Sequence, residues 1–370
     1  MERLANESAG TAPFPGTPSA VSNLETPAPE VSGAEAIHAA AELFGLSVAA
    51  AERLPGERDR NFLLTTTDDI RFVMKVVHPQ EEAAVSHFQA RLLHHLGGRG
   101  LPVQAVVPPR TGCEPILQPA AAPDIRCRVR CVTYLPGRPL AEVSPSRERS
   151  HQLGRFLAQL DLALSDFRDP QADRPFLWDS NRAEQLRPLT GHVRDPRRRA
   201  QVTEILGVFE REVSPRLSAL RSQVIHNDAN PHNVLVAAQA SRISGLIDFG
   251  DAVQAPLVQE LAVAIAYQRL AGPAPFSAAL DVTGGYHEVL ALTPDELALI
   301  PALVATRLAL TSVITAWRSA LHPENASYIL RNDTTIAENL ALIPALTSED
   351  RTRRFVTEVL DGATDRDLWR

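Results

Sequence analysis

The densest polar cluster in an otherwise apolar setting spans residues 224–236, Val-Ile-His-Asn-Asp-Ala-Asn-Pro-His-Asn-Val-Leu-Val. Apolar runs on both sides would hold a short loop rigidly, with Asp228 and Asn233 at its two ends. A second run, Gly245-Leu246-Ile247-Asp248-Phe249-Gly250-Asp251, brings another carboxylate to the tip of an apolar strand. Two rigidly held carboxylates and an amide form an oxygen-donor set suited to Mg²⁺, which needs few protein ligands when phosphates and waters supply the rest. His226 and His232 lie six positions apart in the loop, a poor spacing for a metal pair.

A third residue stands out by its type. Of the 37 basic residues, 36 are arginine and one, Lys75, is lysine. A chain that uses arginine wherever a generic positive charge will do has kept a compact ammonium in Phe72-Val73-Met74-Lys75-Val76-Val77, a strand-like run. Arginine's planar fork does not replace a point charge at every site.

The elements that must position these residues follow from periodicity. Residues 34–46 read as a short helix, and 47–54, 61–67 and 70–77 as strands split by turn-forming stretches. Residues 81–96 read as a helix with Ala84, Phe88, Leu92 and Leu96 on one face, ended by Gly97-Gly98. Strands follow around 115–119 and 127–135. After Pro136-Gly137 the pattern turns helical at 148–165, 182–189 and 196–220, is interrupted by strands at 223–227, 234–237 and 243–248, and is helical again from 257 to about 360. The expected architecture is α+β: residues 1–32 a disordered tail, 33–135 an antiparallel lobe with one helix, and 136–370 a mainly helical lobe.

Composition excludes several classes. At roughly 150 residues per domain, 370 residues make about two domain equivalents, and 44% hydrophobic with 22% charged residues is ordinary for a globular chain. A net charge of -7 leaves no broad basic face for a phosphate backbone, so nucleic acid is not an expected partner. There is no signal-peptide pattern and no run of 18 apolar residues, so no membrane partner is expected. Cys113, Cys127 and Cys131 show no zinc spacing and are read as reduced thiols of a cytoplasmic protein.

The run His-x-Asp-x-x-x-x-Asn followed by Ile-Asp-Phe-Gly resembles the catalytic and metal-binding loops of the protein-kinase-like two-lobe fold. In wording, HNDANPHNVLV and GLIDFGDAVQAP are more similar to the aminoglycoside phosphotransferase superfamily, with the hydroxylysine kinase branch the nearest likeness. ERDRNFLL at 57–64, RPFLWD at 174–179, ELAVAIAY at 260–267 and GYHEVLALTPDEL at 285–297 carry that likeness over nearly everything from about residue 40 onward.

The resemblance implies a kinase that moves the γ-phosphate of ATP or GTP to a hydroxyl of a small, amine-bearing acceptor. Asp228 would be the catalytic base, Asn233 and Asp248 the Mg²⁺ ligands, and Lys75 the binder of the α and β phosphates. His226 would be a structural anchor. There is no glycine-rich GxGxxG, so the turn over the phosphates falls on 55–61, with Arg58 and Asn61 facing the nucleotide and Tyr134 at the hinge beside the base. The helix partner of Lys75 is left to Glu81, Glu82 or Gln89, unless the lysine is held differently. Asp251, Glu260 and Asp179 are candidates for an acceptor amine, and Arg307 with Tyr328 for an acceptor carboxylate. An antibiotic phosphotransferase is the first alternative. An atypical protein kinase is the second, disfavoured because Ala255-Pro256 follows the Ile-Asp-Phe-Gly-Asp run almost at once.

Overall fold

The computed structural model describes residues 26–56, 58–237, 242–271 and 276–362. Most of the expected tail, and Glu57 in the turn, lie outside the described residues. Residues 26–32, assigned above to the tail, are instead held. Arg60 Nε donates to the Pro29 carbonyl at 2.9 Å, and Ser32 forms a capping box with Glu35 at the start of α1 (Gly33–Ala39).

Alternating apolar positions build the first lobe. Strands β1 (Val48–Leu54), β2 (Arg60–Thr66), β3 (Arg71–Val76), β4 (Ile116–Leu117) and β5 (Cys127–Thr133) form one antiparallel sheet in the order β1-β2-β3-β5-β4. Phe62, Leu64, Met74, Val76, Cys127, Val129 and Cys131 make its buried face, which α1 and the π-turn Ala40–Phe44 cover. Cys127 and Cys131 are free thiols on that face, and burial pushes the Cys131 thiol up to about 12. Helix α2 (Ala83–Leu96) turns its apolar stripe the other way: Phe88, Leu92, Leu93 and Leu96 join the core of the helical lobe. At roughly 1.5–3 kcal/mol per fully buried large side chain, this seam ties the two lobes together.

The second lobe begins with β6 (Arg138–Pro139) and α3 (Arg147–Leu164). The segment 182–189 belongs to a longer 3₁₀ stretch, Ser180–His192, broken at Arg182 and containing Pro188. The long helix expected over 196–220 is α4 (Pro196–Val208), a π-turn at Phe209–Val213 and the short α5 (Ser214–Leu217), in which Pro215 lacks the N–H an unbroken helix needs. Strands β7 (Ser222–Ile225), β8 (Val234–Val236) and β9 (Ile243–Leu246) follow, and then β10 (Val253–Pro256), a strand the periodicity did not indicate. β10 pairs antiparallel with β7, Val253 opposite Ile225, so the segment after Asp251 is pinned to the strand that enters the Asp228 loop. Helices α6 (Val258–Ala266), α7 (Ser277–Val289), α8 (Pro294–Leu321), α9 (Ala326–Ile329), α10 (Asp333–Leu346) and α11 (Glu349–Leu360) complete the lobe. Among the described residues α8 alone is long and apolar enough to cross a membrane, and 89% of its most apolar window is buried inside the fold.

Helices α3 and α7 cross on two glycines. A Cβ at Gly154 would lie 1.9 Å from the Val282 carbonyl oxygen, and one at Gly285 would lie 2.0 Å from that of His151. Backbone cannot swing aside as a side chain can, so Gly154→Ala forces the helices apart. The expected loss is ~1–3 kcal/mol, the usual cost of overpacking, read as a lowered urea midpoint. An unchanged midpoint would show that the crossing opens freely.

Candidate active site

The loop after β7 is built from its buried members outward. His226 is fully buried. Its Nδ1 accepts from the Asp228 backbone N–H at 3.2 Å, which makes Nε2 the donor to the Ile247 carbonyl at 3.1 Å. Its ring meets Phe249 edge-on at 4.6 Å. Burial lowers its pKa to about 4, so near neutrality it is an uncharged brace between the two loops, the anchoring role the sequence suggested. Asn227 takes a left-handed backbone, φ 63°, which Asn tolerates better than most residues. Its N–H donates to Glu260 Oε2 at 3.1 Å, and its Nδ2 to the carbonyls of Asp251 and Trp178 at 3.2 and 3.3 Å.

These bonds aim Asp228 into a cleft between the lobes. Its Oδ1 accepts from Asn230 Nδ2 at 2.9 Å and its Oδ2 from Asn233 Nδ2 at 2.6 Å, with the Arg307 guanidinium 3.5 Å from Oδ1. Burial, and after it the Asp251 carboxylate, push the Asp228 carboxyl up to about 7, opposed by Arg307 and Asn230. Because the Asn233 amide nitrogen is committed to Asp228, its oxygen is the atom left for a cation. Asp248, φ 66°, leaves β9 in a left-handed turn and takes Lys75 Nζ at 2.6 Å on Oδ1. Burial would raise the Asp248 carboxyl, but the charge and hydrogen bond of Lys75, then Arg58, carry it well below the usual range. A permanently ionised carboxylate and an amide oxygen facing one cleft fit a hard divalent cation that keeps several other oxygen ligands.

Around them one cavity is lined by Arg58, Asn61, Lys75, Asp228, Asn233, Asp248, Asp251, Arg307 and Tyr328 of the sequence candidates. Arg58 pairs with Asp251 at 2.5 Å and sits over the Phe176 ring. The turn above is shaped by Gly56, where a Cβ would meet Asn61 Nδ2 at 2.6 Å and the Asp59 carbonyl at 2.7 Å. Other candidates fall elsewhere. Glu260 is fully buried beneath the loop, holding Asn227 rather than facing an acceptor, and burial lifts its carboxyl to about 7. Asp179 caps the 3₁₀ stretch through the Asn181 N–H. Tyr134 does not line the cavity; the Arg71 guanidinium covers its ring at 4.0 Å. Arg307, expected at an acceptor carboxylate, is turned to Asp228 and to the Trp178 carbonyl at 3.1 Å.

Neither Glu81, Glu82 nor Gln89 pairs with Lys75. Gln89 Nε2 reaches the Gly250 carbonyl at 3.4 Å, so α2 grips the Asp248 turn through its backbone, and Asp248 itself holds the lysine. Sequence reasoning did not single out Trp178, Asn230, Thr311, Thr315 and Arg331, all in the cavity wall. The run around Trp178 was noted only as a likeness, and the others sit in helical or loop stretches where nothing local marks them.

An antiparallel lobe, a helical lobe and a cleft holding Lys75, Asp228, Asn233 and Asp248 define a phosphotransferase of the protein-kinase-like fold, a small-molecule kinase. The model of the phosphotransferase enzyme family, APH, matches residues 50–299, and the chain belongs to that family. It is 29% identical over 326 residues to hydroxylysine kinase of Mus musculus, covering 82% of this chain and 86% of the relative. It is 28% identical over 280 residues to homoserine kinase of Xanthobacter autotrophicus, covering 70% and 78%. Among solved structures, the microcompartment-associated aminopropanol kinase superposes with a TM-score of 0.65 at 20% identity, covering 82% of this chain and 94% of that one. Amicoumacin kinase hAmiN, solved with AMP-PNP, Ca²⁺ and Ami, gives 0.58 at 15% identity, covering 89% and 93%.

Proposed function

We propose that this chain transfers the γ-phosphate of ATP or GTP to the hydroxyl of a small amino acid of the hydroxylysine type. The observation that carries the reading is the Asp228 carboxylate, hydrogen-bonded by Asn230 and Asn233 and facing a cavity that also contains Lys75 and Asp248. Asp228 orients the acceptor hydroxyl and takes its proton. Lys75 and Arg58 face the phosphates, and Asn61 stands in the turn above them. Asn233 and Asp248 would hold Mg²⁺, which neutralises charge on the transferring phosphoryl group. Asp251 and Asp228 supply the negative side of the cavity that an acceptor ammonium needs. The kinship with hydroxylysine and homoserine kinases supports an amino acid acceptor, and three free cysteines fit a reducing, cytoplasmic setting.

The test is phosphate transfer from Mg·ATP and Mg·GTP to 5-hydroxylysine, homoserine, ethanolamine, choline and several aminoglycosides. Turnover of hydroxylysine above the others is expected. Turnover confined to an aminoglycoside would make this an antibiotic phosphotransferase instead.

A further inference from the structure

The charges around the cavity can be counted against their partners. Four cations line it: Arg58, Lys75, Arg307 and Arg331. The first three are each held by a carboxylate of the site itself, Asp251, Asp248 and Asp228 in turn. Arg331, in the turn between α9 and α10, has no ion-pair partner among the described residues. Its guanidinium lies over the Tyr328 ring at 3.9 Å, and its Nη1 donates to the Tyr328 carbonyl at 3.2 Å. The acid nearest in sequence, Asp333, also lines the cavity but is occupied by a two-pronged pair with Arg198 at 2.7 and 3.1 Å. His232 Nε2 is engaged with Asn332 Oδ1 at 3.2 Å.

Stacking and the backbone bond fix the orientation of Arg331 while leaving most of its five N–H donors unused. A planar fork of that kind matches a carboxylate in two-pronged fashion. Arg307, which lines the same cavity, is fully buried and already committed to Asp228 and the Trp178 carbonyl. Of the cations lining the cavity, Arg331 is therefore the one whose guanidinium is left to an entering anion.

We propose that Arg331 binds the α-carboxylate of the acceptor, so that the site selects a hydroxylated amino acid over the corresponding amino alcohol. The inference rests on the small-molecule kinase reading and narrows its substrate. It assigns acceptor specificity to a residue that takes no part in phosphoryl transfer.

The test compares 5-hydroxylysine with its carboxylate-free counterpart, 1,5-diaminopentan-2-ol, in wild type, Arg331→Ala, Arg331→Gln and Arg331→Lys. Loss of one charge-assisted contact should raise KM for hydroxylysine about tenfold to a hundredfold, with kcat changing far less. The preference of wild type for hydroxylysine over the diamine should shrink by the same factor in the Ala and Gln variants and be partly restored in Lys. Arg331 is exposed, so these variants are expected to fold, and an unchanged melting temperature checks it. Equal rises in KM for both acceptors would mean a merely structural role, and an unchanged KM for hydroxylysine would mean no role; either overturns the proposal. Wild type acting on the diamine but not on hydroxylysine overturns it too and leaves the kinase reading standing. Transfer to neither acceptor, nor to any in the panel above, strikes the kinase reading itself.

Discussion

Asp228→Asn abolishes phosphate transfer, with turnover down ~10²–10⁴-fold, the range a positioned base contributes, while nucleotide affinity stays within a few-fold of wild type. The asymmetry follows from the contacts. An amide cannot take the acceptor's proton, and it offers one acceptor oxygen where the carboxylate serves both Asn230 and Asn233. The nucleotide side of the cleft keeps Lys75 paired with Asp248. The same base sets the pH dependence. Burial and Asp251 raise the Asp228 carboxyl to about 7, against Arg307 and Asn230. The working form is ionised, so wild-type kcat rises with pH through neutrality and is lost on acidification. A cation at Asn233 and Asp248 adds positive charge and draws the midpoint downward. Rate profiles from pH 5 to 9 on both proteins check this: the variant should lose the inflection together with the rate. Near wild-type turnover in Asp228→Asn would sink the assignment of the base.

The parts of this site that declare themselves locally were legible in the sequence. Asp228 and Asn233 share one loop, Asp248 ends one apolar strand, and period-two runs located β1, β2, β3 and β5 to within a residue or two. Lys75 was visible because of its type alone. What escaped was set by contacts between distant segments. The partner of Lys75 lies 173 positions away, and no helical spacing on α2 reveals that Gln89 grips the backbone of Gly250 instead. Glu260 and Asp179 read as acceptor carboxylates because they adjoin matched runs. Burial is a tertiary property, and it makes one a brace for Asn227 and the other a helix cap. β10 is four residues long and exists only because β7 lies beside it. Arg331 is one arginine among 36, and what distinguishes it is the lack, among the described residues, of a carboxylate partner in a cavity where the other cations have one.

Lys75 tests how far residue type alone can be trusted. Lys75→Ala should weaken nucleotide binding about tenfold to a hundredfold, the scale of one charge-assisted hydrogen bond, and should cut turnover further. Both effects have a visible cause. The ammonium lies 2.6 Å from Asp248 Oδ1 with 17% of its side chain exposed, so it orients the cation ligand as well as offering charge to phosphate. Without it the Asp248 carboxyl loses the largest influence opposing burial, and its pKa climbs back. Lys75→Arg keeps the charge but puts a planar fork where a point charge fits, between β3 and the left-handed turn at Asp248. A chain with arginine at every other basic position should therefore fail to be rescued by arginine here. Calorimetric nucleotide titration and turnover on the two variants decide it. If Lys75→Arg bound and turned over like wild type, the lone lysine would be an accident of composition, and the geometry around Asp248 would tolerate either cation.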